Sequence, residues 1–306
     1  MDLKIEINET DSNSILLDSV YKSKDNTTKY LWKTKEDLFF ESVLVELENR
    51  QLNNILCISS QIGCLIGCHF CKTSKLGFIR NLSFEEMKDQ ILKIIQYNLN
   101  MFTSIDKFEI SISAIGEPLL NYENLIKFLK FISHYNINNK KIIIRISTVG
   151  IVKNIYKLID EDIDLPIKLQ ISLHATNDQD RRNIIPYSTI SPNTIEEILI
   201  ASKEYAKKKK EKIIVKYLLF KDVNDKPENI YQLISLLNKN YFNVHLARLN
   251  PIEDFNFKPS SLEQMKKCQY LLKKEGFETQ LSISKGLDIE AGCGQLTFAH
   301  ASKFRI

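Results

Sequence analysis

From about residue 55 the chain alternates between short runs rich in β-branched residues and longer stretches with helical period. The strand-like runs are ILCISS (55–60), KFEISIS (107–113), KIIIRIST (141–148), IKLQISLHA (167–175), KIIVKYLLF (212–220) and NVHLARLN (243–250). Helical period returns at 83–99, 124–132, 194–208, 227–239 and 261–276. Ser83 with Glu86 three residues on predicts a capping box, and Gly276 stands where a helix should stop. Residues 19–47 differ: they alternate apolar and polar positions around the turn-like segments KDN and KED, which predicts two or three antiparallel strands.

Alternation of strands with helices implies an α/β fold with parallel strands and right-handed crossovers. Six repeats predict an incomplete (β/α)6 barrel over 51–306, preceded by a small N-terminal β extension over 1–50. An open doubly wound sheet is the alternative. In either architecture chemistry belongs at the C-terminal ends of the strands. The polar and special residues gather there: SSQIGC, SAIGEP, STVG, SLHA, KDVND and LNP close the six runs in turn.

The bulk composition narrows the class without naming a reaction. With 43% hydrophobic and 26% charged residues in 306, the chain has the make-up of a globular protein able to bury one large core. No apolar run is long enough to span a membrane, and MDLKIEINETDSN lacks the regions of a signal peptide, so a cytoplasmic protein is expected. The net charge of +4 tolerates a nucleic-acid partner without requiring one. KKKK at 207–210 reads as a solvated helix end, with RNA contact as the second reading.

The six cysteines change the picture. Three fall within eight residues, at Cys64, Cys68 and Cys71; Cys57 lies seven before them, and Cys268 and Cys293 far downstream. A tight cluster in a long chain points to metal or catalytic use rather than a disulfide framework. Three thiolates on one loop suit a 4Fe-4S cluster with one iron left open; zinc is the alternative, although no CxxC or HxxxH partner follows. Cys268, inside the helical QMKKCQYLL, reads as a core thiol.

CxxxCxxC with Phe70 before its last cysteine resembles the radical S-adenosylmethionine (SAM) superfamily. The longer string LCISSQIGCLIGCHFCKTSKLGFIRNL (56–82) is similar to the RlmN/Cfr family of RNA adenine methyltransferases. IGEPLLN (115–121), ISTVG (146–150), ISLHA (171–175), NIIPY (183–187), VND (223–225), LNP (249–251) and DIEAGCGQL (288–296) extend the likeness, as does KYLWKTKEDLFFESV (29–43). It runs from about residue 19 to 298. Two features depart from it: about 18 residues precede the match where the family has a longer helical domain, and Ala114-Ile115 replaces the usual Met-Gly.

The resemblance implies a radical SAM barrel that uses two SAM molecules per turnover. Cys64, Cys68 and Cys71 would ligate the 4Fe-4S cluster, and Gly116, Glu117, Ser147, Ser172, Leu173, His174 and Asn250 would contact SAM. It further implies that Cys293 becomes methylated, Cys57 resolves the resulting RNA adduct as a disulfide forms, and Glu41 removes a proton from the adenine carbon. The implied substrate is 23S rRNA or tRNA, with carbon 2 expected ahead of carbon 8. An electron donor such as flavodoxin or ferredoxin is implied, and a monomer is expected. Arg80, Arg181, Arg182 and Arg248 are candidates for RNA phosphate contacts. The rival readings are a divergent radical SAM enzyme that never methylates Cys293, and an iron-sulfur or RNA-binding protein without turnover.

Overall fold

The computed structural model describes residues 13–47, 54–135, 140–186, 193–250 and 257–291. Three antiparallel strands come first: β1 (Ile15–Lys22), β2 (Thr27–Thr34) and β3 (Phe39–Val45). Next are β4 (Asn54–Ile58), the short pair β5 (Gln61–Gly63) and β6 (Phe78–Asn81), and helices α1 (Phe84–Tyr97) and α2 (Leu99–Ser104). Then follow β7 (Lys107–Ile112), α3 (Tyr122–His134), β8 (Lys141–Thr148), α4 (Val152–Asp160), β9 (Ile167–Ser172), α5 (Asp178–Ile184) and α6 (Ile195–Lys209). The series closes with β10 (Ile213–Leu219), α7 (Pro227–Leu236), β11 (Phe242–Arg248), α8 (Leu262–Lys274) and β12 (Thr279–Ser282).

Ten strands form one sheet in the order β1-β2-β3-β4-β7-β8-β9-β10-β11-β12. From β4 onward each neighbouring pair is parallel, so the six predicted strands are consecutive members of one parallel sheet, as the strand–helix alternation implies. β12 extends it beyond the expectation, parallel to β11. The N-terminal strands join the same sheet because β3 pairs antiparallel with β4. Among the described residues no helix is long and apolar enough to cross a membrane.

Period-two patterning in the parallel strands divides the sheet into two unlike faces. Phe108, Ile110, Ile112, Ile142, Ile144, Ile146, Leu169, Ile171, Val215, Tyr217, Val244 and Leu246 are all buried. They form the large core with the helices, α1 packing on β4, α6 on β10 and α8 on β11 and β12. The alternate positions carry Cys57, Glu109, Ser111, Arg145, Ser147, Lys168, Gln170, Ser172, Lys216 and His245. Parallel strands covered on both faces normally read as continuous apolar runs; this polar face is instead enclosed by curvature.

Local signals set the helix ends. The Ser83 hydroxyl accepts from the Glu86 N–H at 3.2 Å, and the Glu86 carboxylate accepts from the Ser83 N–H at 2.8 Å, as the spacing predicts. Thr194 and Glu197 do the same for α6. Gly276, with φ +82°, follows α8 as expected. Three helices, α2, α4 and α5, lie outside the stretches of helical period, and for the last two the physical reason is local. Ile151, which precedes α4, offers no capping side chain, and the seven-residue α5, DQDRRNI, has only Ile184 to bury among apolar side chains. Ser83→Ala should lower unfolding free energy by about 1 kcal/mol, read by urea denaturation; an unchanged midpoint would show that α1 is held by packing alone.

Candidate active site

The loop leaving β4 carries three of the cysteines and is closed by the β5–β6 pair. Gly63 makes the first bend at φ +73°; a Cβ there would lie 2.0 Å from the Gly77 carbonyl oxygen, so no other residue fits. The Cys64 N–H donates to that same carbonyl at 2.9 Å, and the Cys71 N–H donates to the Cys68 carbonyl at 3.1 Å. The loop rests on α5, where the His69 N–H donates to the Ile184 carbonyl at 3.0 Å. Phe70 faces His174 edge-on at 5.1 Å and packs on Phe220 at 5.6 Å.

Cys64, Cys68 and Cys71 are half-buried. Burial and the neighbouring Cys64 push the Cys68 thiol well above its ordinary pKa. Among the described residues no three His, Cys, Asp or Glu side chains converge as a preformed metal cage. The fit to an iron-sulfur cluster therefore lies in the donor set: three thiols within one loop, two of them close enough to interact electrically. A thiol kept protonated by burial becomes a thiolate when a cation binds it.

The loop after β7 brings Gly116 and Glu117 against this segment. Gly116 adopts φ +102°, and a Cβ would sit 2.6 Å from Gln61 Cβ, so its small size serves the approach of β5. The Gln61 carboxamide accepts from the Glu117 N–H at 2.8 Å and donates to Asn81 Oδ1 at 2.8 Å. Glu117 is 3% exposed. One of its oxygens accepts from the Leu119 N–H at 3.0 Å and the other from the Val149 N–H at 2.8 Å, joining the ends of β7 and β8. Burial outweighs these bonds and pushes its pKa up to about 7.

The remaining predicted SAM contacts lie at the ends of β8, β9 and β11. Ser147 Oγ accepts from Gln170 Nε2 at 3.0 Å, and Ser172 sits half-buried on the concave face. Leu173 and His174 are buried at 0% and 2% exposure. His174 takes φ +62°; its Nδ1 accepts from the Leu218 N–H at 3.1 Å, which leaves the other ring nitrogen to carry the hydrogen. Burial holds the His174 pKa well below its ordinary value, so the ring is neutral. Asn250 is half-buried just beyond β11.

Two arginines expected at RNA phosphates do other work. Arg181 is 2% exposed and donates to the carbonyls of Leu173 (3.2 Å), Val149 (2.5 Å) and Ser172 (3.2 Å). It fastens the ends of β8 and β9 from within. Arg80 is held by both oxygens of Glu86 at 2.8 Å and by Glu36 at 2.5 Å. Arg248 donates to the Ser260 carbonyl at 3.3 Å, and Arg182 remains exposed. Asn224, in the VND segment, was not singled out by sequence reasoning. It donates to the carbonyls of His174 and Leu218 at 2.8 Å and accepts from the Phe220 N–H at 2.7 Å. Cys268 is buried and its thiol contacts the Asp225 carbonyl at 3.3 Å, as expected of a core residue.

Glu41 and Cys57 share one face of the adjoining strands β3 and β4, since Val43, two residues from Glu41, lies opposite Cys57. Lys29 on β2 faces the same Val43, and its ammonium lies 3.7 Å from the Glu41 carboxylate with both side chains buried. Lys29 also donates to the Glu290 carbonyl. Ser23 and Lys24 bind the Asp288 carboxylate, and Asp25 accepts from the Gly286 N–H at 2.7 Å. The segment leading towards Cys293 is thus seated on the β1–β2 turn and β2; Cys293 itself lies outside the described residues.

The radical SAM superfamily matches residues 58–234, which span the cysteine loop and most of the parallel strands. Over 282 residues the chain is 39% identical to the probable dual-specificity RNA methyltransferase RlmN of Clostridium botulinum strain Alaska E43, covering 92% of this chain and 78% of that one. The RlmN of Dictyoglomus thermophilum is 38% identical over 275 residues, 89% of this chain and 76% of that one. The chain belongs to the RlmN family of radical SAM enzymes. The crystal structure of a radical SAM methyltransferase from Sphaerobacter thermophilus superposes with a TM-score of 0.83 at 29% identity, covering 92% of this chain and 81% of that one. Enzymes of the radical SAM superfamily work with a 4Fe-4S cluster and SAM, and the donor set of the β4 loop fits that cluster.

Within this RlmN-type site Glu117 gives stability a distinct pH dependence. The folded protein holds its proton to about pH 7, against 4.5 for an ordinary glutamate. Its contribution is therefore fully present below about pH 4.5 and lost as pH rises through about 7. Urea unfolding of the iron-free protein at about pH 5 and about pH 8 should show that loss. Glu117→Gln should remove it; an identical loss in the variant would place the titrating group elsewhere.

Proposed function

We propose that the chain is a radical SAM RNA methyltransferase that methylates an adenine carbon, carbon 2 ahead of carbon 8, in 23S rRNA or tRNA. The observation that carries the reading is the placement of a buried carboxylate and a thiol, Glu41 and Cys57, on one face of adjoining strands. Beside them runs the segment that continues to Cys293. Conventional transfer of a methyl cation cannot reach such a carbon, which is not nucleophilic, so the reaction needs radical formation and a covalent carrier.

Cys64, Cys68 and Cys71 would hold the cluster and leave one iron for the amino acid end of SAM. When bound, cluster and SAM would supply the 5′-deoxyadenosyl radical that removes a hydrogen atom from a methyl group. Gly116, Glu117, Ser147, Ser172, Leu173, His174 and Asn250 would line the SAM site. With their side chains buried, Leu173 and His174 would serve it through their backbone, and Ser172 through its hydroxyl.

The remaining steps belong to the chain's own side chains. Cys293 accepts a methyl group from a first SAM as a thiolate. Its methylene carbon, left as a radical by that hydrogen abstraction, then bonds to the adenine carbon, and the adduct returns one electron to the redox centre that supplied it. Glu41 takes the proton from that adenine carbon. Cys57 attacks the Cys293 sulfur as a thiolate, forming a disulfide while the sulfur–carbon bond breaks; the released carbon takes up a proton from water to become the methyl group, and the methylated base departs. A reductant of the flavodoxin or ferredoxin type supplies the electron for SAM cleavage.

Mass spectrometry of protein purified from cells should find one added methylene on the Cys293 peptide. Its absence from cluster-loaded, SAM-supplied protein would favour the divergent radical enzyme. Cys57→Ala should accumulate a covalent protein–RNA adduct through Cys293, visible as a shifted band on a denaturing gel. Clean turnover by that variant would remove the resolving role.

A further inference from the structure

The concave face of the sheet holds more positive charge than its own carboxylates neutralise. Two register rows cross it. In the first, Cys57 on β4 is in line with Ser111, Arg145 and Lys168 on the next three strands. In the second, Ser172 on β9 is in line with Lys216 and His245 on β10 and β11. Partners in register share a face, so these side chains project to the same side of the sheet.

Glu109 is committed to Arg145. Its two oxygens accept from Nε and Nη2 at 2.6 and 2.7 Å, a fork that matches one guanidinium to one carboxylate. Arg145 Nη1 also donates to Gln170 Oε1 at 3.3 Å. Lys168 and Lys216 have no carboxylate within ion-pair distance among the described residues. Both are only half-exposed to water. His245 stands in register beside Lys216. Burial first, then Arg145, Lys216 and Lys168, lower its pKa to about 4, so at neutral pH it is an uncharged hydrogen-bonding group. Among the described residues of the strands Glu41 is the other acid on this face, and it is paired with Lys29.

We propose that Lys168, Lys216 and His245 form an anion subsite that takes a phosphodiester of the RNA substrate inside the partial barrel. The proposal rests on the RNA methyltransferase reading. SAM is the other molecule of this site that carries an anionic oxygen, in its carboxylate. Its ammonium and sulfonium give it a net positive charge, so two lysines with no carboxylate partner among the described residues repel it as a whole. A nucleotide carries one negative charge per phosphate and no compensating cation. The second row begins at Ser172, in the segment assigned to SAM, and the first begins at Cys57. A phosphate held between the rows would seat a nucleotide between the methyl source and the resolving thiol.

The test uses the cluster-loaded full chain, wild type and Lys168→Met/Lys216→Met, with a fluorescein-labelled RNA stem-loop carrying an unpaired adenine. Anisotropy titrations are run across a series of salt concentrations, and SAM binding is measured by equilibrium dialysis. The double variant should bind RNA about tenfold more weakly, with the slope of log K against log salt reduced by about 1 for the lost phosphate contact. SAM affinity should be unchanged or improved. The variant should be at least as heat-stable as wild type, because two repelling charges are gone. In wild type, RNA but not SAM should protect Lys168 and Lys216 from acetylation, read by peptide mass spectrometry. Unaltered RNA affinity and slope would overturn the subsite while leaving the RNA reading intact. Loss of SAM affinity in the variant would overturn it in favour of the SAM carboxylate. A wild-type chain that shows no salt-dependent RNA binding would overturn both readings.

Discussion

A charge moved from water into a protein interior costs several kcal/mol unless it is paired or kept in reach of solvent. This chain places acidic and basic residues on the enclosed face of a parallel sheet, and much of its organisation answers that cost. Glu109 and Arg145 meet in a two-pronged ion pair, Gln170 spans from Arg145 to Ser147, and Lys29 meets Glu41. The opposite face is free to be wholly apolar and takes the helices. A barrel with an apolar interior would fill itself with side chains; one lined by polar residues can stay open to a substrate.

The site loops are held by a few side chains that bind backbone carbonyls. Arg181 joins the ends of β8 and β9 through three carbonyls, and Asn224 bridges β9 to β10. Asn121 donates to the Ser60 and Leu82 carbonyls at 2.7 and 2.8 Å, tying the loop after β7 to both ends of the β5–β6 pair. Gln90 on α1 accepts from the Ser42 hydroxyl and the Ser59 N–H, and Ser42 accepts from the Trp32 indole. Such contacts satisfy groups that would otherwise be buried unpaired. They also set the cysteine loop against Glu117 and the N-terminal strands without using the residues left for chemistry.

The N-terminal strands act at the other end of the site. They extend the sheet past β4, present Glu41 beside Cys57, and carry the turn and strand on which residues 286–290 are seated. Lys29 touches both the Glu41 carboxylate and the Glu290 carbonyl. One buried ammonium therefore links the acid proposed as base to the segment that carries the proposed methyl carrier.

What the sequence by itself determined is whatever depends on near neighbours along the chain. The Ser83 cap, the stop at Gly276, the six parallel strands and the three cysteines of one loop all rest on spacings of a few residues. The tertiary structure decided the partners of long polar side chains. Arg80 and Arg181 have the composition of phosphate ligands, yet one meets Glu36, 44 residues away, and the other the Val149 carbonyl, 32 residues away. Glu117 is drawn into hydrogen bonds with β8, and Lys168 and Lys216 are left without carboxylates among the described residues. The alternation that builds the polar concave face was present in KFEISIS and KIIIRIST. Only curvature makes that face an interior, and curvature arises from the whole sheet, because it reflects the twist of every strand against its neighbours.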